Sequence, residues 1–246
     1  MAIVISNVTE LQAMELFPTL DYELGNNINA AATSLWNEDP GNPGTYFGFD
    51  PVGTSATKFT GELDGKGFTI SNLFIGRPTE SYVGLFGAIN GATVKNVALA
   101  TCDITGKSYT GALIGRVAGA ATISDCSSAG TVDGVDGVGG LIGEMFSTAT
   151  ITDCSSSCTV TGTEYNTGGL VGDTGDLEVL LRCSATGNVH GTYDYVGGLI
   201  GYTSDGTIDK CYATGDVVGD ADYVGGLVGS CGADATNCYA VGDVAG

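Results

Sequence analysis

The sequence predicts an all-β fold: a right-handed parallel β-helix, three-sided, with coils of about 28 residues and a short capping helix at its N-terminal end. Three observations predict it. The phrase Tyr223-Val224-Gly225-Gly226-Leu227-Val228-Gly229 recurs six times with small variations, closing on Gly87, Gly115, Gly143, Gly172, Gly201 and Gly229 at intervals of 28, 28, 29, 29 and 28 residues. Spacing that regular marks a repeat architecture. Each repeat also carries three strand-like pieces, as in Val138–Gly143, Thr150–Cys154 and Thr159–Gly162. These are too short for helices and rich in β-branched residues. Finally, equivalent positions match in type from repeat to repeat, as they must if coils stack at the inter-strand spacing of about 4.8 Å.

The N-terminal stretch Thr9–Phe17 reads as an amphipathic helix, with Thr9 as its cap and Leu11, Met14 and either Ala13 or Phe17 on one face, ending before Pro18. A solenoid needs such a cover, because its first coil otherwise exposes a ladder edge and a slice of core. Residues 22–35, with Tyr22, Leu24 and Ile28, form an opening strand. The segment from Trp36 to Gly53 is a loop dense in Asn, Asp, Pro and Gly, and its aromatics Trp36, Tyr46, Phe47 and Phe49 pin it down. Phe59–Leu73 then alternates apolar and polar residues around the turn signal Asp64-Gly65, as a lead-in coil. The chain therefore divides into a cap at 1–58 and one continuous solenoid at 59–246.

Within the solenoid, columns can be read directly. Leu85, Leu113, Leu141, Leu170, Leu199 and Leu227 form an unbroken core column, and the adjoining Phe86, Ile114, Ile142, Val171, Ile200 and Val228 are apolar too. Alternation must therefore break at a bend beside the glycines. Ile123, Ile151, Leu180 and Ile208 form a second core column, and Val132, Val160, Val189, Val217 and Val244 a third. An exposed column of Asp125, Asp153, Arg182, Lys210 and Asn237 puts Asp153 beside Arg182, a favourable cross-strand pair.

These phrases, with the Thr-Ile-x-x-Cys element and the Gly-x-Val-x-Gly closure, resemble the GLUG repeat of bacterial secreted and surface proteins, from about Tyr22 to Gly246. The resemblance implies a non-catalytic, adhesive, cell-surface module and no catalytic residues.

Composition narrows the partners. A formal charge of −20 argues against nucleic acid and anionic membranes, since phosphate binding needs clustered cations. The acidity reads as a solvated surface suited to a salty habitat, or as calcium binding through Asp136, Asp194 and Asp222, each three residues before a Gly-Gly pair. No run has the length of a membrane-spanning helix, and Met1–Ser6 lacks the features of a signal peptide. The expected location is extracellular or at the cell surface, with a virion as the alternative.

Five cysteines, Cys126, Cys154, Cys183, Cys211 and Cys238, form one column. Reduced, buried thiols filling a tight corner are the first reading. Disulfides between neighbouring coils and metal binding are the others, although stacked in-register side chains reach disulfide geometry poorly. The residue before each Val-Gly-Gly phrase is Tyr82, Tyr109, Gly137, Asn166, Tyr195 and Tyr223. Tyr195 and Tyr223 follow Asp194 and Asp222, an aromatic-plus-carboxylate pattern suited to a glycan, whereas a purely structural tyrosine ladder is the plainer reading. His190, the only histidine, lies among small polar residues and completes no catalytic constellation. Two functions remain: a structural or adhesive surface module that binds glycans or self-assembles through its uncapped C-terminal coil, or a phage-type receptor-binding or polysaccharide-depolymerising fibre domain.

Overall fold

The computed structural model describes residues 1–175 and 177–246. It is an all-β parallel solenoid of about seven turns, the fold class the repeat predicts. The first strand, Ile3–Ile5, lies at the outer edge of a nine-stranded sheet by pairing in parallel with Tyr22–Leu24, a rung that sequence patterning did not reveal. The helix that follows differs from expectation at both ends. It spans Val8–Gln12 and is capped by Asn7, whose Oδ1 accepts the Glu10 N–H at 3.0 Å, while the Glu10 carboxylate accepts the Ser6 N–H at 2.7 Å. Asn caps at least as well as Thr, so the helix starts before Thr9. Beyond Gln12 the chain tightens into a 3-10 turn, Ala13–Leu16, with Leu11 and Met14 buried and Ala13 and Phe17 exposed.

The three pieces expected of each coil resolve into five short strands. In one central coil they are Asp136–Gly139, Ile142–Met145, Thr150–Thr152, Ser155–Ser156 and Thr159–Gly162. Each pairs in parallel with its equivalent one coil away: Ile142 with Val171, Ile151 with Leu180, Val160 with Val189. The first piece breaks at Gly140-Leu141, where the chain turns from one sheet to the next. Glycine is demanded there by close approach. A Cβ on Gly139 or Gly168 would stand 2.0 Å from the carbonyl oxygen of Ile142 or Val171.

That turn explains why two neighbouring apolar columns are both inside. Leu85, Leu113, Leu141, Leu170 and Leu199 are fully buried, as are Phe86, Ile114, Ile142, Val171 and Ile200. The Ile123 and Val132 columns are buried as well, up to the last coil, where Val244 is exposed. The exposed charged column occupies a left-handed corner: Asp125, Asp153, Arg182, Lys210 and Asn237 have φ between 53° and 55°. There Arg182 clasps Asp153 with two hydrogen bonds, Nε to Oδ1 at 2.7 Å and Nη2 to Oδ2 at 2.5 Å.

The loop after Trp36 takes the place of a rung. Phe49 and Phe59 are buried, and Val52 and Phe59 bridge in parallel to Phe86 and Ile89. Phe47 lies under the Arg77 guanidinium at 5.8 Å. The aromatics thus hold the loop against the first coils.

Candidate functional site

The tyrosine column lies at a second corner. Tyr82, Tyr109, Asn166, Tyr195 and Tyr223 all adopt φ between 59° and 70°, and Gly137 sits at 63°. For a tyrosine this left-handed conformation costs ~1–2 kcal/mol relative to its usual regions. Ring stacking, at ~0.5–1.5 kcal/mol per pair, offsets much of that cost. Tyr82 stacks on Tyr109 at 5.5 Å and 17°, and Tyr195 on Tyr223 at 5.1 Å and 29°. Tyr165, Tyr193 and Tyr202 close around the second pair, with centroid separations of 5.3 Å for Tyr165–Tyr193 and 5.4 Å for Tyr195–Tyr202. This cluster of five is larger than the pair read from sequence. Stacking also consumes the faces a sugar would use: Tyr195 is covered by Tyr223 and flanked by Tyr202, whereas Tyr223 remains 58% exposed.

Of the aspartates beside these rings, Asp194 serves the backbone. Asp194 Oδ1 accepts the Asp222 N–H at 3.0 Å, linking one coil to the next. Strand register places Ser108, Asp136, Tyr165, Asp194 and Asp222 in one column, so Tyr165 separates Asp136 from the other two. Of the three aspartates of the calcium reading, Asp194 and Asp222 are therefore neighbours in the column, and Asp136 stands apart from them. Among the described residues no group of three or more His, Cys, Asp or Glu side chains is placed to hold a metal ion.

A row that the sequence reading missed runs beside the tyrosines. Arg116, Glu144, Asp173 and Tyr202 are in register on successive coils. Arg116 Nε is 2.9 Å from Glu144 Oε2, and Asn166 Nδ2 donates to Asp173 Oδ2 at 3.0 Å. Arg116 also lies over the rings of Tyr82 and Phe146, at 5.4 and 4.7 Å. Burial, only partly countered by Arg116, pushes Glu144 up to about 7; nearby Asp173 and Asp136 add to the rise. Burial and Asp136 push Asp173 up to about 6. The signal for this row was its place directly after each closing glycine.

Cys126, Cys154, Cys183 and Cys211 are free and buried, with Cys238 half-buried at the last coil. Their sulfurs join the backbone ladder: Cys211 Sγ accepts the Cys183 N–H at 3.3 Å and Cys238 Sγ the Cys211 N–H at 3.4 Å. The neighbouring Cys154 thiol and burial push Cys183 up to about 12, so this thiol stays protonated. His190 is exposed, 3.6 Å from Asp220.

A family model described as the GLUG motif matches residues 106–133 and 192–218. Halomucin of Haloquadratum walsbyi is 45% identical over 95 residues, covering 38% of this chain and 1% of halomucin. A candidate Gly-rich membrane protein of Evansella cellulosilytica is 38% identical over 82 residues, covering 33% of this chain and 9% of that protein. The matched segment is thus a small fraction of either relative's length. Among solved structures, a candidate immunoglobulin A1 protease of Bacteroides ovatus superposes with a TM-score of 0.69 at 20% identity, over 97% of this chain and 74% of that one. A second structure, named IgA1 protease, gives 0.62 at 21% identity over 96% and 20%. At such identities the likeness is one of fold. No helix of the described residues is long and apolar enough to cross a membrane.

Proposed function

We infer that this GLUG-repeat chain is a non-catalytic structural or adhesive module of a secreted or cell-surface protein. The observation that carries the reading is the use to which the repeat's own residues are put. Its glycines let one coil's backbone close on the next, its leucines fill the core, and its tyrosines and cysteines stack on their own equivalents. The repeat is spent on propagating itself, which is what a spacer or presenting scaffold requires. Relatives named halomucin and Gly-rich membrane protein favour a surface setting. The strands of the last coil, among them Val228–Cys231 and Val244–Ala245, offer edges on which a further coil, from this chain or another, can continue the ladders.

Surface labelling tests the reading. Antibody against residues 59–246 is expected to stain intact cells of the source organism, with the signal removed by external protease. Staining only after permeabilisation would overturn it. Glycan binding at Tyr195 and Tyr223, beside Asp194 and Asp222, is a second reading, favoured by the exposed outer side of Tyr223. In that arrangement Tyr223 supplies the stacking face and Tyr195 its support.

A further inference from the structure

The tyrosine ladder starts where the cap meets the solenoid. The sheet built from Ser108–Gly111 and its equivalents has five strands and begins a coil later than its neighbours; below it only Val83 bridges to Thr110. Among the described residues no strand therefore lies beneath Tyr82. Tyr109 stacks on one side of its ring, the Arg116 guanidinium lies 5.4 Å from the ring centroid and donates from Nη1 to the hydroxyl at 3.2 Å, and the ring is left half-buried. Where the missing rung would run, there is a cavity of about 370 Å³, lined by Tyr82, Ser81, Glu80, Asp50, Thr54 and Ser55. That is the lower part of the size range of small-molecule sites.

The lining is fixed from behind. Arg77, 7% exposed, holds Asp50 with Nη2 at 3.3 Å and both Glu80 oxygens with Nη1 at 3.0 Å, while its Nε donates to the Phe49 carbonyl at 3.2 Å. On the opposite wall, Thr54 Oγ1 accepts the Thr57 N–H at 3.0 Å and closes the loop into a tight turn. A preformed wall binds at low ordering cost.

The geometry points to a carbohydrate-binding site at this junction, with Tyr82 as the stacking surface, Asp50 and Glu80 accepting sugar hydroxyl protons, and neutral oligosaccharides as the ligand class. An aromatic ring beside oriented carboxylates suits a ring with an apolar face and a hydroxyl rim. Uronic or phosphorylated sugars would meet two carboxylates neutralised by a single arginine, and are disfavoured. This site is separate from Tyr195 and Tyr223, which lie four and five coils further on.

The test is an NMR titration of the full chain with maltotriose, cellotriose and chitotriose, each to about 20 mM, because one aromatic subsite corresponds to millimolar affinity. At least one sugar is expected to shift the amides of residues 50–55 and 80–82. Tyr82→Ala should weaken it about tenfold and Tyr82→Phe leave it within about twofold, the loss of one stacking contact. Ser55→Trp, at an exposed position of the lining, should block the cavity without disturbing Tyr82 or the turn held by Thr54, and thermal melting would check that both variants fold. The inference fails if none of the three sugars binds, or if Tyr82→Ala and Ser55→Trp bind like wild type. Binding abolished only by Tyr195→Ala with Tyr223→Ala would likewise overturn it, while supporting the second reading above.

Discussion

Leu141→Ala is expected to lower the unfolding free energy by about 3–5 kcal/mol, the upper part of the range for a leucine removed from a close-packed core. Leu141 is fully buried, with Leu113 and Leu170 in the coils on either side, and its backbone links both: the Leu113 N–H donates to the Leu141 carbonyl at 3.0 Å and the Leu141 N–H to that of Leu170 at 2.9 Å. Those ladder bonds hold the flanking coils at their spacing, so the cavity cannot close by collapse. Leu227 in the same column is only partly buried. Leu227→Ala is therefore expected to cost less than about half as much. Urea unfolding of the two variants decides the matter, and equal losses would show that the column is not a graded core.

A second large effect concerns pH. Glu144 is 7% exposed, and its carboxyl is pushed up to about 7, with Asp173 beside it pushed up to about 6. The groups facing it are Arg116, Asp173, Asp136 and Tyr109. A carboxyl whose folded value exceeds its unfolded one binds its proton more tightly in the native state. Its contribution is therefore full below about 4.5 and is lost as pH rises towards 7. The wild type should lose on the order of 2–3 kcal/mol over that window through Glu144. Glu144→Gln, which cannot ionise, should remove that part of the slope. Chemical unfolding at intervals from pH 4.5 to 7.5 measures the difference between the two proteins; parallel curves would show that Glu144 is ionised throughout the window.

Much of this fold was legible because a solenoid turns sequence spacing into spatial contact. Leucines 28 or 29 residues apart become neighbours, so the Leu141, Ile151 and Val160 columns, and the Asp153–Arg182 pair, followed from counting. What counting could not supply was backbone conformation. The left-handed φ at Tyr195 and at Arg182 is invisible in residues that rarely adopt it, so a tyrosine ladder could be read from spacing but not its place at a sharp corner. The cap was least legible. Ile3–Ile5 is too short to show periodicity, and the loop from Trp36 to Phe59 replaces a rung by bridges at Val52 and Phe59 rather than by a repeat of the phrase. The junction cavity follows from that replacement and has no signature in the sequence.

The central claim is that each repeat is an independent stacking unit whose residues are committed to the coils above and below. Deleting one whole coil, residues 144–172, joins Gly143 to Asp173, the in-register equivalent of Glu144. Small-angle scattering and thermal unfolding of this variant measure the claim most directly. The account predicts a folded, cooperatively melting protein shortened by about 4.8 Å along its axis, whereas a deletion of half that length, which throws every column out of register, does not fold. A one-coil deletion that unfolds, or that behaves no better than the out-of-register one, would contradict it.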